Sequence, residues 1–284
     1  MISNLLIKSI SPKLKNEDFI DTVINDELNF KAIILGDGIG SHYKPDEGST
    51  FCVKSLKKQL ENCKNIDELD FKELFKTVYS ELKENFSNVE DDTIDKTQAY
   101  GTTLICAIEL EDKYIVAYLG NGSTWHIRGD FHTFSSQRYL PWNAINLLNP
   151  HTIEENGKEA LYKFIALEST ENQILPSVIE INKDNELFGD IIIISTDGLY
   201  SNDHNPIAKD REGNIWIAGE KKMELLFNRL KNLINENKFE EQIINDSIDE
   251  YLKEINESKL VDDDTTFGII FNNIYQEKTQ EEPI

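Results

Sequence analysis

Apolar residues recur along this chain with two different periods. Around residues 67–88, Phe71, Leu74, Phe75, Val78, Leu82 and Phe86 return every three or four positions, the spacing of one face of an α-helix. The same spacing runs over 221–256, first through Met223, Leu226, Phe227, Leu230, Leu233 and Ile234, then through Phe239, Ile243, Ile244, Ile248, Tyr251, Leu252 and Ile255. A shorter helix is predicted from about Glu47 to Leu60, with Phe51, Val53, Leu56 and Leu60 on its buried side. Between these stretches lie short, β-branched runs bounded by Gly, Asp and Asn: Phe30–Leu35, Thr102–Leu110, Tyr114–Leu119, Asp190–Ser195 and Thr266–Phe271. Strands come in runs and helices in pairs. Strict βαβα alternation is absent, so the pattern predicts a layered α+β domain with largely antiparallel sheets. Weak periodicity from Ser135 to Lys158 predicts an irregular excursion, and the polar residues after 274 a short tail.

Composition narrows this picture. With 284 residues, 39% of them hydrophobic, the chain has the material for one large domain or two small ones. Asp and Glu number 52 against 29 Lys and Arg, a formal charge of −23. A field of that sign repels nucleic-acid phosphates and anionic membranes and draws divalent cations wherever carboxylates converge. Cys52, Cys63 and Cys106 form no CxxC pair, and the five histidines show no HxxxH or HExxH spacing. Zinc knuckles and disulfide frameworks therefore drop out, and a reducing compartment is expected. The N-terminus lacks a secretory h-region, and no run approaches the roughly 20 apolar residues of a membrane span. A cytoplasmic protein is expected.

Candidate chemistry sits at strand ends. Asp37-Gly38 follows one fully apolar strand, Asp197-Gly198 follows another, and Asp262, Asp263 and Asp264 precede the last. Apolar runs of this kind are buried strands, and an Asp at a buried strand's end is held more firmly than one in a long loop. If these strands share a core, several carboxylates point at one region, where like charges either raise their pKa values or bind a cation. All-oxygen ligation without His or Cys selects a hard ion: Mg²⁺, Mn²⁺ or Ca²⁺. The residues alone lead to a hard-metal site and name no reaction.

Seven short motifs then appear in order. They are Asn16-Glu17-Asp18, Gly36-Asp37-Gly38-Ile39-Gly40-Ser41-His42, Glu47-Gly48-Ser49-Thr50, Gly101-Thr102-Thr103, Gly120-Asn121, Ser195-Thr196-Asp197-Gly198-Leu199 and Asp262-Asp263-Asp264-Thr265-Thr266. The series resembles the NED, ADGMGGH, GExAS, GTT, GD, SDGL and DDNIT motifs of the PP2C-type (PPM) metal-dependent protein phosphatases. It spans almost the whole chain. The resemblance implies an α/β/β/α sandwich of two mainly antiparallel sheets flanked by helix pairs, with one phosphatase domain over residues 1–274 and a tail over 275–284. It implies hydrolysis of phosphoserine and phosphothreonine in proteins by a water activated by two Mn²⁺ or Mg²⁺ ions, opposing a Ser/Thr kinase. Asp37 would bridge the ions and the Gly38 carbonyl would ligate one. Asp197 and Asp263 would complete the set, with Glu17 and Asp18 holding metal-bound water.

Several positions depart from the pattern. Lys13 stands where many members carry a phosphate-gripping Arg; it keeps the charge and loses the bidentate fork. Asn121 replaces an Asp that helps bind a third metal, so that site is expected to be weakened. Asp264 replaces Asn. Ile39 stands where some relatives have a histidine proposed as general acid, which leaves water to protonate the leaving oxygen. His42 is read as a capping or packing residue. These departures keep open an alternative from a different class: a degenerate member that binds metal or phosphoprotein without turnover.

Overall fold

The computed structural model describes residues 3–87, 93–129, 143–155, 158–183, 189–201, 207–209, 215–236, 238 and 240–272. The chain opens with strands β1 (Ser3–Ile10), β2 (Asp18–Asn25) and β3 (Phe30–Asp37), then helices α1 (Pro45–Glu61) and α2 (Phe71–Asn85). Strands β4 (Leu104–Glu109), β5 (Lys113–Leu119), β6 (Ser123–Gly129) and β7 (Asn143–Asn146) follow, with a ribbon of β8 (Thr152–Glu155) and β9 (Lys158–Leu161). After β10 (Ser177–Asn182) and β11 (Gly189–Ser195) come a second ribbon, β12 (Ile207–Lys209) and β13 (Ile215–Ile217), helices α3 (Ala218–Asn235) and α4 (Glu241–Glu257), and β14 (Thr265–Asn272). Every strand pairing is antiparallel.

Two five-stranded sheets result, in the orders β1-β14-β11-β6-β7 and β10-β5-β4-β3-β2. Their uninterrupted apolar runs are explained by burial on both faces. In β3, Phe30, Ala32 and Ile34 join the core under α1 and α2, whereas Ile33 and Leu35 face the other sheet. In β11, Ile191 and Ile193 pack beneath α3 and α4, whereas Ile192 and Ile194 face inward. Three apolar layers thus separate four layers of secondary structure, the α/β/β/α order that the motifs implied. Helix α2 starts where the Asp70 carboxylate accepts the N–H groups of Lys72 and Glu73, an N-cap. Helix α1 starts with Pro45 in its first turn, where a missing N–H costs nothing.

The structure adds elements that periodicity did not predict. β1 and β2 are edge strands, only partly buried and without a clean apolar run. The segment expected to be irregular carries edge strand β7 and the β8–β9 ribbon; both are short and rich in polar residues, which hid them. Residues 135–142 and 156–157 of that segment, and the tail at 275–284, lie outside the described residues.

Candidate active site

Both sheets deliver acidic residues to the same end of the sandwich. Asp18 opens β2 and pairs in register with Asp37, which closes β3. Asp197 follows β11 and begins a 3₁₀ turn, Asp197–Leu199. Asp263 precedes β14, the neighbour of β11, and the Thr196 N–H donates to the Thr266 carbonyl at 2.9 Å across that pair.

Backbone contacts fix Asp37 before any side chain acts. Its carbonyl accepts the Thr103 N–H at 2.8 Å and the Thr102 hydroxyl at 2.9 Å, and its own N–H reaches Thr103 Oγ1 at 3.2 Å. The Thr pair of the Gly101-Thr102-Thr103 motif is thus a clamp on the aspartate's peptide. The Gly38 N–H donates to the Glu17 carbonyl at 3.1 Å, and that carbonyl also takes the Ser49 hydroxyl of α1 at 2.6 Å. A Cβ on Gly38 would lie 2.7 Å from the carbonyl oxygens of both Glu17 and Pro45, so only glycine fits between β2 and α1.

The electrostatics are those of a crowded acidic pocket. Burial, then the charges of Asp18, Asp197 and Asp263, hold the Asp37 carboxyl well above the usual carboxylate range. Burial also pushes Asp18 up to about 8, with the Asp264 charge adding to it and hydrogen bonds from Thr266 and Thr196 opposing it. Asp18 and Asp37 are register partners at the ends of neighbouring strands, so each carboxyl feels the other's charge. Thr196 Oγ1 donates to Asp18 Oδ2 at 3.0 Å, while Asp18 Oδ1 and Asp264 Oδ1 are buried without a hydrogen bond.

Lys13 lies among these acids. Its ammonium is 2.7 Å from Glu17 Oε2, 2.9 Å from Asp263 Oδ1 and 3.6 Å from Asp264 Oδ2. Burial works to lower its pKa, but the hydrogen bonds to Glu17 and Asp263 outweigh burial and hold it above the ordinary lysine value. Asp264, the acidic departure from the family's Asn, also accepts the Glu17 N–H at 2.8 Å. Asn121 donates its side-chain amide to Asp197 Oδ2 at 2.7 Å, and its main-chain carbonyl accepts the Tyr200 hydroxyl. His42 sits beside the site, edge-on to Phe164 at 5.5 Å, with burial lowering its pKa.

The structure therefore brings Lys13, Glu17, Asp18, Asp37, Gly38, Asn121, Asp197 and Asp263 to one end of the fold. Among the described residues, no three His, Cys, Asp or Glu side chains gather their donor atoms in ion-binding geometry; the carboxylates hold one another, Asn121 and Lys13 instead. The donor set still fits a hard divalent cation. It is all oxygen, the neighbouring Asp18 Oδ1 and Asp264 Oδ1 are buried without a partner, and its mutual repulsion is the kind that a cation relieves. Two contributors were not singled out as site residues from the sequence. In the sequence Thr196 is only a motif member, and Lys222 of α3, buried behind the Asp197 turn, belongs to no motif. Burial lowers Lys222 to about 8, against the opposing pull of Asp262, Asp197 and Asp263. The available signal was a lysine four residues before Leu226, on the apolar face of its helix.

Comparisons with known proteins agree with this architecture. No protein of curated function matches the chain by sequence. Among solved structures, the serine/threonine phosphatase Stp1 from Staphylococcus aureus superposes with a TM-score of 0.63 at 17% identity over 96% of both chains. The serine/threonine phosphatase of S. agalactiae gives 0.62 at 14% identity over 96% of this chain and 100% of its own. The catalytic domain of the phosphatase PstP, in complex with two manganese ions, gives 0.55 at 15% identity over 95% and 97%. At such identities these likenesses establish the fold. The family model for protein phosphatase 2C matches residues 8–253, and with its order of motifs and two-sheet sandwich the chain belongs to the protein phosphatase 2C family.

Proposed function

We propose that this protein hydrolyses phosphoserine and phosphothreonine in protein substrates, using Mn²⁺ or Mg²⁺ held by Asp37, the Gly38 carbonyl, Asp197 and Asp263. The observation that carries this reading is the convergence of Asp18, Asp37, Asp197 and Asp263 from both sheets, close enough that each of the last two raises the Asp37 carboxyl. Such an arrangement is costly in a folded protein unless a cation completes it. Two divalent cations, when bound, supply a water nucleophile at neutral pH and neutralise phosphoryl charge.

The chain's own residues supply the rest. Glu17 and Asp18 accept hydrogen bonds from ordered water and orient it. Lys13 offers a point charge to the substrate phosphate, without the fork of an arginine. Asn121 fixes Asp197 through a neutral amide and adds no charge, so a third cation is held weakly. Ile39 has no proton to give, and water protonates the departing serine or threonine oxygen. The substrate is a phosphoprotein modified by a Ser/Thr kinase in the same cytoplasm.

One observation favours the alternative, a metal- or phosphoprotein-binding domain without turnover: the Lys13 ammonium already pairs with Asp263 and Glu17. Hydrolysis of a phosphothreonine peptide and of p-nitrophenyl phosphate, with Mn²⁺, Mg²⁺ or chelator, separates the two. Turnover that needs the metal supports the phosphatase. A folded protein that binds Mn²⁺ and turns over neither compound is the binding module.

A further inference from the structure

Lys222 is fully buried, on the face of α3 otherwise made of Met223, Leu226, Leu230 and Leu233. A methionine would fill that position without carrying a charge out of water. Among the described residues the ammonium has no carboxylate within ion-pair distance; it donates instead to two main-chain carbonyls, that of Gly198 and that of Ser201, the latter at 2.8 Å. The first of these carbonyls lies within the Asp197–Leu199 turn and the second just beyond it; the Asp197 carbonyl itself accepts the N–H groups of Tyr200 and Ser201 at 2.9 and 2.8 Å. The Gly198 carbonyl receives a second donor, Thr265 Oγ1 at 3.0 Å, from two residues beyond Asp263. Helix α3 is seated tightly for the purpose: a Cβ on Gly219 would come within 1.8 Å of the Tyr200 carbonyl. The Tyr251 hydroxyl of α4 donates to the Lys222 carbonyl at 3.2 Å.

We propose that Lys222 is a positioning residue for the metal site, a buried clamp from α3 that fixes the Asp197 turn and, through the shared Gly198 carbonyl, its placement against Asp263. The proposal rests on Asp197 and Asp263 being metal ligands. Clamp and charge act in opposite directions on a dication. Removing a buried positive charge near the acids would by itself tighten Mn²⁺ binding, whereas loosening the ligands' support weakens it, by about 10- to 100-fold where such supports have been removed. The sign of the change therefore identifies the role.

The test uses the full chain carrying Lys222→Met or Lys222→Gln. Mn²⁺ affinity is measured by calorimetry, kcat and KM on a phosphothreonine peptide, and amide hydrogen exchange at Tyr200 and Ser201. The expected result is weaker Mn²⁺ binding by roughly 10- to 100-fold, a lower kcat with KM little changed, and faster exchange at both amides. A folded variant with Mn²⁺ affinity equal to or tighter than wild type overturns the proposal. Should Lys222→Met fail to fold, Lys222→Gln, which keeps a side-chain donor, decides by the same criterion. If the wild-type chain binds no Mn²⁺, the metal-site reading fails by itself, and unchanged exchange at Tyr200 and Ser201 in the variants would overturn the clamp as well.

Discussion

Both ends of the sandwich gather carboxylates and treat them in opposite ways. Glu109 closes β4 opposite Lys31, at the far end from Asp37, and Asp190 lies at the start of the strand that Asp197 follows. Both Glu109 and Asp190 are fully buried. Each has its own cation: Lys183 lies 2.9 Å from Glu109 and over the Tyr114 ring, and Arg128 reaches Asp190 through Nε at 2.7 Å and Nη2 at 3.0 Å, with His126 beside it. At the other end Asp18, Asp37, Asp197, Asp263 and Asp264 crowd together, and Lys13 pairs with only the last two and Glu17. A buried carboxylate with a bonded cation is part of the frame. A group of carboxylates, two buried and three partly exposed, that face one another is incomplete, and what completes it is a ligand of opposite charge.

The contrast breaks most severely at the paired end. Lys183→Met leaves Glu109 buried without its cation and is expected to cost about 3–5 kcal/mol of stability, read by urea denaturation, with Mn²⁺ affinity preserved in the folded fraction. At the crowded end the expected response is inverted. Asp197→Asn relieves repulsion, so stability holds or rises, while turnover on phosphopeptide drops at least about 100-fold, roughly 2.7 kcal/mol of transition-state stabilisation. A variant that keeps most of its turnover would remove Asp197 from the metal site.

A milder effect is expected from His151, which ties the chain after β7 to the Gly120-Asn121 loop. Its Nδ1 accepts the Gly120 N–H at 3.2 Å, Nε2 meets Ser177 Oγ at 2.8 Å, and the ring stacks on Tyr118 at 4.8 Å. Burial, with the Lys163 charge, lowers it to about 4. An unfolded histidine titrates near 6.5. Between those values the unfolded chain binds more protons than the folded one, so stability falls as pH drops through that window and this contribution levels off below about 4. Denaturation midpoints across that range should show the slope, flattened in His151→Gln. The smallest effect sharpens the comparison at Lys13. Lys13→Arg gives the phosphate a bidentate partner and is expected to lower KM a few-fold, under about 1 kcal/mol, with kcat nearly unchanged. An unaltered KM would mean that Lys13 serves its carboxylate neighbours alone.

Much of this was legible in the chain because its strongest signals are doubly buried strands. Phe30–Leu35 and Asp190–Ser195 read as uninterrupted apolar runs since helices cover one face and the opposite sheet the other, and the carboxylates stand at their ends. β1 and β2 were not legible. Most of their residues are half-buried, with Ser3 and Leu6 in β1 and Asp18 and Val23 in β2 buried, so neither shows a clean period. The roles of Thr102, Thr103 and Ser49 were also hidden, because they bind backbone groups that only the folded register brings near. Nor could spacing show that Lys13 would pair with Asp263, 250 positions away, or that Lys222 would reach the carbonyls around Asp197.

The most direct test of the difference between the ends is thermal unfolding of wild type, Asp197→Asn and Lys183→Met across a Mn²⁺ titration. If the crowded end is completed by divalent cations, Mn²⁺ at about 100 times its Kd stabilises the wild type by roughly 2.7 kcal/mol. The same gain appears in Lys183→Met, on a lower baseline, and is lost in Asp197→Asn. Equal stabilisation of all three proteins, or none in the wild type, would contradict the account.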